Sequence, residues 1–137
     1  MPFFVYGTLR QGQGNHCLVA ASVQGIRTAR LTGHSLYSAG LPYAAPSAGP
    51  ASSVAGDLLL IRPDAYPAVL DRLDRLEGYR PPLSCLYVRT RCVAEYLDRP
   101  GVWLPCPAWV YLAGGSFRLD PDLLVDGGDW AVSRDAA

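Results

Sequence analysis

The sequence predicts an α+β fold, a small mixed β-barrel or curled sheet flanked by short helices. Three observations point to it. Short apolar runs recur between glycine and proline punctuation, which reads as many short strands. Only one segment, Ala65 to Glu77, sustains a helical apolar period. The chain has 137 residues, 50% of them hydrophobic, which suits one domain over residues 1–137 with a single core. Strands outnumbering helices in this way favour a sheet closed or curled on itself with helices outside.

In chain order, Phe3 to Tyr6 reads as a buried strand stopped by Gly7. His16 to Ser22 suits a short helix, Val23 to Thr28 a second extended segment, and Gly33 to Tyr37 a third. Residues 38–53, SAGLPYAAPSAGPASS, read as a long loop of Pro, Gly, Ser and Ala. Such loops are often functional when ordered, and composition does not separate that reading from a surface connector. Val54 to Ile61 is apolar enough for a central strand. Asp64 is the expected N-cap of the helix, with Pro67 tolerated in its first turn. Leu86 to Glu95 alternates in part, as a strand with one wet face does, and Pro107 to Leu112 forms a last strand. Leu119 to Leu124 turns once, and Gly128-Asp129-Trp130 anchors the tail.

Charge excludes several classes of partner. The formal net charge is zero, all twelve basic residues are arginine, and no basic stripe or acidic tail occurs. Nucleic acid and membrane surfaces are therefore not expected partners. Without lysine the chain has neither a Schiff-base lysine nor a P-loop lysine. No apolar run approaches the ~20 residues of a membrane span, and no signal peptide is evident, so a cytoplasmic protein is expected. Cys17, Cys85, Cys92 and Cys106 form no C-x-x-C pair, and with only His16 and His34 beside them no metal site is expected. Buried thiols are the expectation for them in a reducing cytosol. A Cys17–His16 dyad ranks low, because adjacent residues rarely face each other.

On a wheel of ~100° per residue, Tyr66, Val69, Leu70, Leu73 and Leu76 share one stripe, while Asp71, Asp74 and Arg75 project from the opposite side. Glu77 falls within the apolar stripe just before Gly78 ends the helix. A carboxylate aimed inward needs a reason, since acidic side chains are seldom buried without a partner. Three readings compete. Glu77 is frayed out to solvent, or it pairs with Arg10 or Arg89, or it is a general base whose pKa a dry pocket raises.

The stretch Val5-Tyr6-Gly7-Thr8-Leu9-Arg10-Gln11-Gly12-Gln13-Gly14-Asn15 poses a second question. A glycine directly after a buried strand lets successive N–H groups point one way, a nest for anions that needs no cationic side chain. Neither G-x-x-x-x-G-K nor G-x-G-x-x-G is present, which leaves a carboxylate or an oxyanion, or an ordinary tight turn.

Tyr6-Gly7-Thr8-Leu9-Arg10 followed by Gly14-Asn15 resembles the signature of the γ-glutamylcyclotransferase-like family, which includes γ-glutamylamine cyclotransferase and the AIG2-like proteins. The similarity runs on through Gly33, Leu36-Tyr37, Val54, Gly56-Asp57-Leu58 and Leu73-Asp74-Arg75-Leu76-Glu77-Gly78-Tyr79. It continues through Tyr87-Val88-Arg89, Ala108-Trp109-Val110-Tyr111 and Gly128-Asp129-Trp130, and so covers nearly the whole chain in order. Where small bacterial members tend to carry Tyr-Pro, this chain has Leu41-Pro42-Tyr43, so its pocket rim differs.

The resemblance implies a compact mixed β-barrel flanked by helices, with a cavity floored by the Tyr6–Leu9 loop and faced by Glu77. It further implies cleavage of a γ-glutamyl amide by its own α-amine, releasing 5-oxoproline and an amine or amino acid, with no cofactor. Glu77 would be the catalytic base, and Gly7, Thr8 and Leu9 N–H groups would hold the carboxylate or oxyanion. Tyr6 and Asn15 join that binding set. Arg10 is either a ligand for the substrate carboxylate or a solvent-facing residue. Tyr79 and Tyr87 either line the cavity or are core aromatics. Burial would help the chemistry: a glutamate of pKa ~4.3 facing an α-ammonium of ~8 loses roughly 5 kcal/mol, and raising it to ~6.5 cuts this to about 2 kcal/mol. The rival reading is a non-catalytic module binding a small carboxylate on the same scaffold; behind it stand an interaction protein whose glycine loop is only a turn and a Cys17 hydrolase.

Overall fold

The computed structural model describes residues 1–47, 52–81 and 85–130. Strands β1 (Phe3–Val5), β2 (Val23–Thr32), β5 (Ser53–Ile61), β6 (Tyr87–Arg99) and β7 (Val102–Ala113) close into a barrel in the order β1-β5-β2-β6-β7, while β3 (His34–Ala39) and β4 (Leu41–Pro46) form a separate two-stranded sheet. The barrel is mixed because β1 runs antiparallel to β5, with Phe3 opposite Leu59 and Val5 opposite Asp57, and parallel to β7 at Phe3 and Trp109. The other barrel pairings are antiparallel.

β1 is buried on both faces, which is why its three residues are all apolar. Its alternation divides the core. Phe4 and Tyr6 join Ala29, Leu31, Val54, Leu58 and Val110. Phe3 and Val5 join Leu59, Ile61, Val69 and Leu73, the last two from the single α-helix, α1 (Tyr66–Glu77). The helix thus clamps the face of the barrel opposite the one that Phe4 packs against.

Several expectations are corrected. The expected helix from His16 resolves into two 3-10 turns, His16–Leu18 and Ala20–Ser22, and β2 extends to Thr32. The expected loop over 38–53 contains β4: Gly40, at φ +79°, turns the chain so that Leu41 pairs with Ala39 and Tyr43 with Tyr37. Pro42 and Pro46 are tolerated because a two-stranded sheet has free edges. Residues 48–51 of that segment lie outside the described residues. Ala65, not Asp64, occupies the N-cap, without a side-chain hydrogen bond; exposed Asp64 faces Arg62 at 3.7 Å instead.

The tail is anchored as expected. Trp130 is buried, and the Gly128 carbonyl accepts the Ala55 N–H at 2.8 Å. Gly128 sits so close to β5 that a Cβ there would meet the Ser53 carbonyl. No helix among the described residues is long and apolar enough to cross a membrane.

Candidate active site

α1 ends at Gly78, whose left-handed conformation (φ +68°) suits glycine and lets the Tyr79 N–H cap the Asp74 carbonyl at 2.9 Å. The stop leaves Glu77 as the last helical residue, half-buried beside a cavity of about 120 Å³. Two residues the wheel misplaced matter here. Leu76 is 41% exposed rather than buried with the stripe. Asp74 does not point away; three residues before Glu77 it sits only about 60° from it around the axis, where β6 and β7 reach it. Its Oδ1 accepts from Arg89 Nε at 2.9 Å and from the Tyr111 hydroxyl at 2.6 Å.

The cavity's opposite wall is the loop after β1. The carbonyls of Gly7, Thr8 and Leu9 are all engaged by the chain that follows. Gly7 accepts from the Arg10 N–H at 3.1 Å, Thr8 from the Asn15 N–H at 2.9 Å, and Leu9 from His16 Nδ1 at 2.9 Å. The Asn15 side-chain amide adds a bond to Thr8 Oγ1 at 2.9 Å. In contrast, the N–H groups of Gly7, Thr8 and Leu9 donate to no acceptor among the described residues. The loop thus has fixed carbonyls and open donors on three consecutive peptides.

Gly7 has a steric role as well: a Cβ there would stand 2.5 Å from Pro42 Cγ. Only glycine admits the β3–β4 hairpin this close. The hairpin is tied from beneath by the Tyr87 hydroxyl, which donates to the Pro42 carbonyl at 2.6 Å, and by the Ala44 N–H, which donates to the Tyr6 hydroxyl at 3.2 Å. Tyr43 stacks on both Tyr87 (4.6 Å between centroids) and Phe117 (3.8 Å). Burial pushes the Tyr6, Tyr87 and Tyr111 phenols far above their ordinary range, so they act as neutral donors.

Tyr6, Gly7, Thr8, Leu9, Asn15, Tyr87 and Glu77 all line this one cavity. Arg10 and Tyr79 are not in its lining. Arg10 is held outside by Asp129 at 3.0 Å and Asp57 at 3.8 Å, and Tyr79 packs under the Arg89 guanidinium at 5.4 Å. Sequence reasoning did not single out Pro42, Leu76 and Tyr111 as lining residues. For Pro42 the available signal was the altered rim at 41–43; for Tyr111 it was a strand tyrosine of the last apolar run.

Neither cation considered for Glu77 reaches it, because Arg89 is committed to Asp74 and stacks on Trp109 at 4.3 Å. No ion pair to Glu77 forms among the described residues. Desolvation alone therefore acts on its carboxyl and pushes the pKa up to about 7. His16 faces Leu9, and Cys17 Sγ contacts the Gly14 carbonyl at 3.5 Å, so the two make no dyad. Among the described residues no cluster of His, Cys, Asp and Glu is arranged to hold a metal.

A family model described as gamma-glutamyl cyclotransferase, AIG2-like, matches residues 3–132. No match is found among curated proteins. Among solved structures, an AIG2-like protein from Mus musculus is 25% identical, with a TM-score of 0.65 over 94% of this chain and 86% of that one. An uncharacterized protein from Pyrococcus horikoshii is 19% identical and covers 99% of this chain and 94% of its own, with a TM-score of 0.63. YkqA from Bacillus subtilis is 22% identical with a TM-score of 0.67; 98% of this chain aligns, but to only 43% of YkqA. The last two likenesses are of fold.

Proposed function

This chain belongs to the gamma-glutamyl cyclotransferase, AIG2-like family, and from that membership we propose that it cleaves a γ-glutamyl amide by cyclising its glutamyl group to 5-oxoproline. One observation carries the reading. A desolvated, unpaired carboxyl at Glu77, with pKa about 7, shares a cavity with the unengaged N–H groups of Gly7, Thr8 and Leu9.

In this reading Glu77 takes a proton from the substrate α-ammonium. The freed α-nitrogen bonds to the γ-carbonyl carbon, and the N–H groups of the loop stabilise the oxyanion that develops. The attached α-nitrogen still carries a second proton that it must lose. The bond from the carbon to the leaving nitrogen breaks as Glu77 returns the first proton to that nitrogen and then relays the second to it. The products are 5-oxoproline and the amine in its protonated, ammonium form, with Glu77 again a carboxylate. With the carboxyl at about 7 and an α-ammonium near ~8, the proton transfer costs only about 1.4 kcal/mol. Of the four free cysteines only Cys85 is buried; Cys17 is exposed and Cys92 and Cys106 are intermediate, which corrects the expectation of buried thiols.

The test is 5-oxoproline release from a panel of γ-glutamyl amino acids and γ-glutamyl amines, with Glu77→Gln run beside the native chain. Release that disappears in the folded variant supports the assignment. Release that survives Glu77→Gln removes Glu77 as the base. Failure of the native protein on every panel member favours a carboxylate-binding module instead.

A further inference from the structure

The residues lining the cavity differ sharply in exposure, and the difference gives the cavity a direction. Phe4, Val5, Tyr6, Leu9, Tyr87 and Tyr111 are each at most 7% exposed and form its depth. Leu41 and Leu76 line the same cavity at 48% and 41% exposure, so they stand where it opens to solvent. They come from different elements, the turn end of β4 and the last turn of α1, and Leu76 immediately precedes Glu77. Single exposed leucines are ordinary on a protein surface. Two that converge on the mouth of one small cavity are not explained by packing.

The charge of the lining narrows what the mouth receives. Among the described residues, Glu77 is the only ionisable carboxyl in the wall, and no arginine or histidine lines it. Arg10 and Arg89, the nearest candidates by sequence, are committed to Asp57, Asp129 and Asp74. A leaving group carrying its own carboxylate would meet no cation there.

We infer that the leaving group of the substrate is an uncharged, apolar amine seated between Leu41 and Leu76. The inference rests on the cyclotransferase reading above. The glutamyl end, which carries the charge, enters toward the N–H groups of Gly7, Thr8 and Leu9; the amine end remains at the mouth against the two leucines. Covering them on binding removes apolar surface from water, and a difference of one or a few methylenes in such a contact discriminates by roughly 10- to 200-fold.

The experiment uses two readouts on one set of compounds: γ-glutamyl isoamylamide, γ-glutamylglycine and γ-glutamylputrescine. Binding to the full-length Glu77→Gln protein is measured by calorimetry, and kcat/KM for 5-oxoproline release is measured with the native enzyme. The isoamylamide is expected to bind at least tenfold more tightly than the other two. Leu41→Ser and Leu76→Gln, both at exposed positions that tolerate polar side chains, should each shrink that ratio several-fold. Equal binding of all three compounds, tighter binding of a charged one, or a preference unmoved by both substitutions would overturn the inference. If the binding preference holds while the native enzyme releases no 5-oxoproline, the apolar subsite stands and the cyclotransferase reading fails.

Discussion

The hydroxyl of Tyr111 donates to Asp74 Oδ1 at 2.6 Å, joining β7 to the helix turn that carries Glu77. The same oxygen accepts from Arg89 of β6 at 2.9 Å. The end of α1 is thus fixed to two barrel strands by charge-assisted bonds, and the orientation of Glu77 depends on a residue one turn away. Replacing Asp74 by asparagine keeps the shape but leaves the Arg89 guanidinium without its counter-charge. The expected cost is about 1.5–3 kcal/mol, read as a lower urea midpoint at unchanged slope. Displacement of Glu77 by even ~1 Å should lower 5-oxoproline release by up to about 10²-fold.

Glu77 makes the protein's stability pH-dependent in an unusual direction. Its folded pKa of about 7 lies above the ordinary value of 4.5, so between these values the folded state holds more protons than the unfolded one. Stability contributed by the protonated carboxyl is therefore present below pH 4.5 and lost as pH rises to about 7. The ceiling on that loss is about 3 kcal/mol, lowered by the carboxyl's partial access to solvent. Glu77→Gln should flatten this part of the profile and stabilise the chain at pH 8, while reducing turnover by about 10²–10⁴-fold. Denaturant unfolding at pH 5 and pH 8 checks the first claim; a profile as steep as the native one would contradict it.

Gly7→Ala would place a methyl against Pro42 at 2.5 Å and push the hairpin off the cavity. We expect a loss of about 1–3 kcal/mol, with much of it recovered when Pro42→Ala is added. A double-mutant cycle on thermal unfolding measures this, and simple additivity of the two changes would show that the contact is relieved elsewhere.

Tyr87→Phe removes the hydroxyl that holds the Pro42 carbonyl at 2.6 Å. The loss should cost about 1 kcal/mol of stability. Because the bond supports the rim and not the reacting atoms, KM should rise while kcat changes little. Steady-state kinetics separates the two parameters.

Arg10→Met should weaken folding rather than substrate binding. Arg10 faces Asp129 and Asp57, and Asp57 is 9% exposed, so removing the cation leaves a buried carboxylate with, among the described residues, the Gln11 N–H at 3.0 Å as its remaining partner. The expected cost is about 1–3 kcal/mol with KM within about twofold. A large rise in KM in a stable variant would return Arg10 to the substrate site.

Much of this architecture is legible in the amino-acid sequence alone, and the particular residues show why. β1, β5, the second half of β7 and α1 announce themselves through apolar runs and a helical period, signals that depend only on local sequence; the expected strand omits the first half of β7, Val102–Cys106. The position of Glu77 on α1 belongs to the same class, since a wheel needs nothing beyond the spacing. β4 was missed because Pro42, Ala44, Ala45 and Pro46 have the composition of a loop, and only pairing with β3 makes them a strand. Asp74, Arg10 and Tyr111 were misjudged or passed over for a related reason. Their partners lie 15, 119 and 37 residues away, and local spacing carries no information about such meetings.

The three residues of β1 also set a timetable for the ribosome. Phe3 and its parallel neighbour Trp109 are separated by more than a hundred residues of synthesis. At about 5–20 residues per second the seam stays open for roughly 5–20 s of translation. During that interval Phe3, Phe4 and Val5, all destined to be buried on both sides, have at first neither flanking strand and then β5 alone. Closure of this barrel thus waits for β7, and the nascent chain must keep the apolar β1 from associating with others until then.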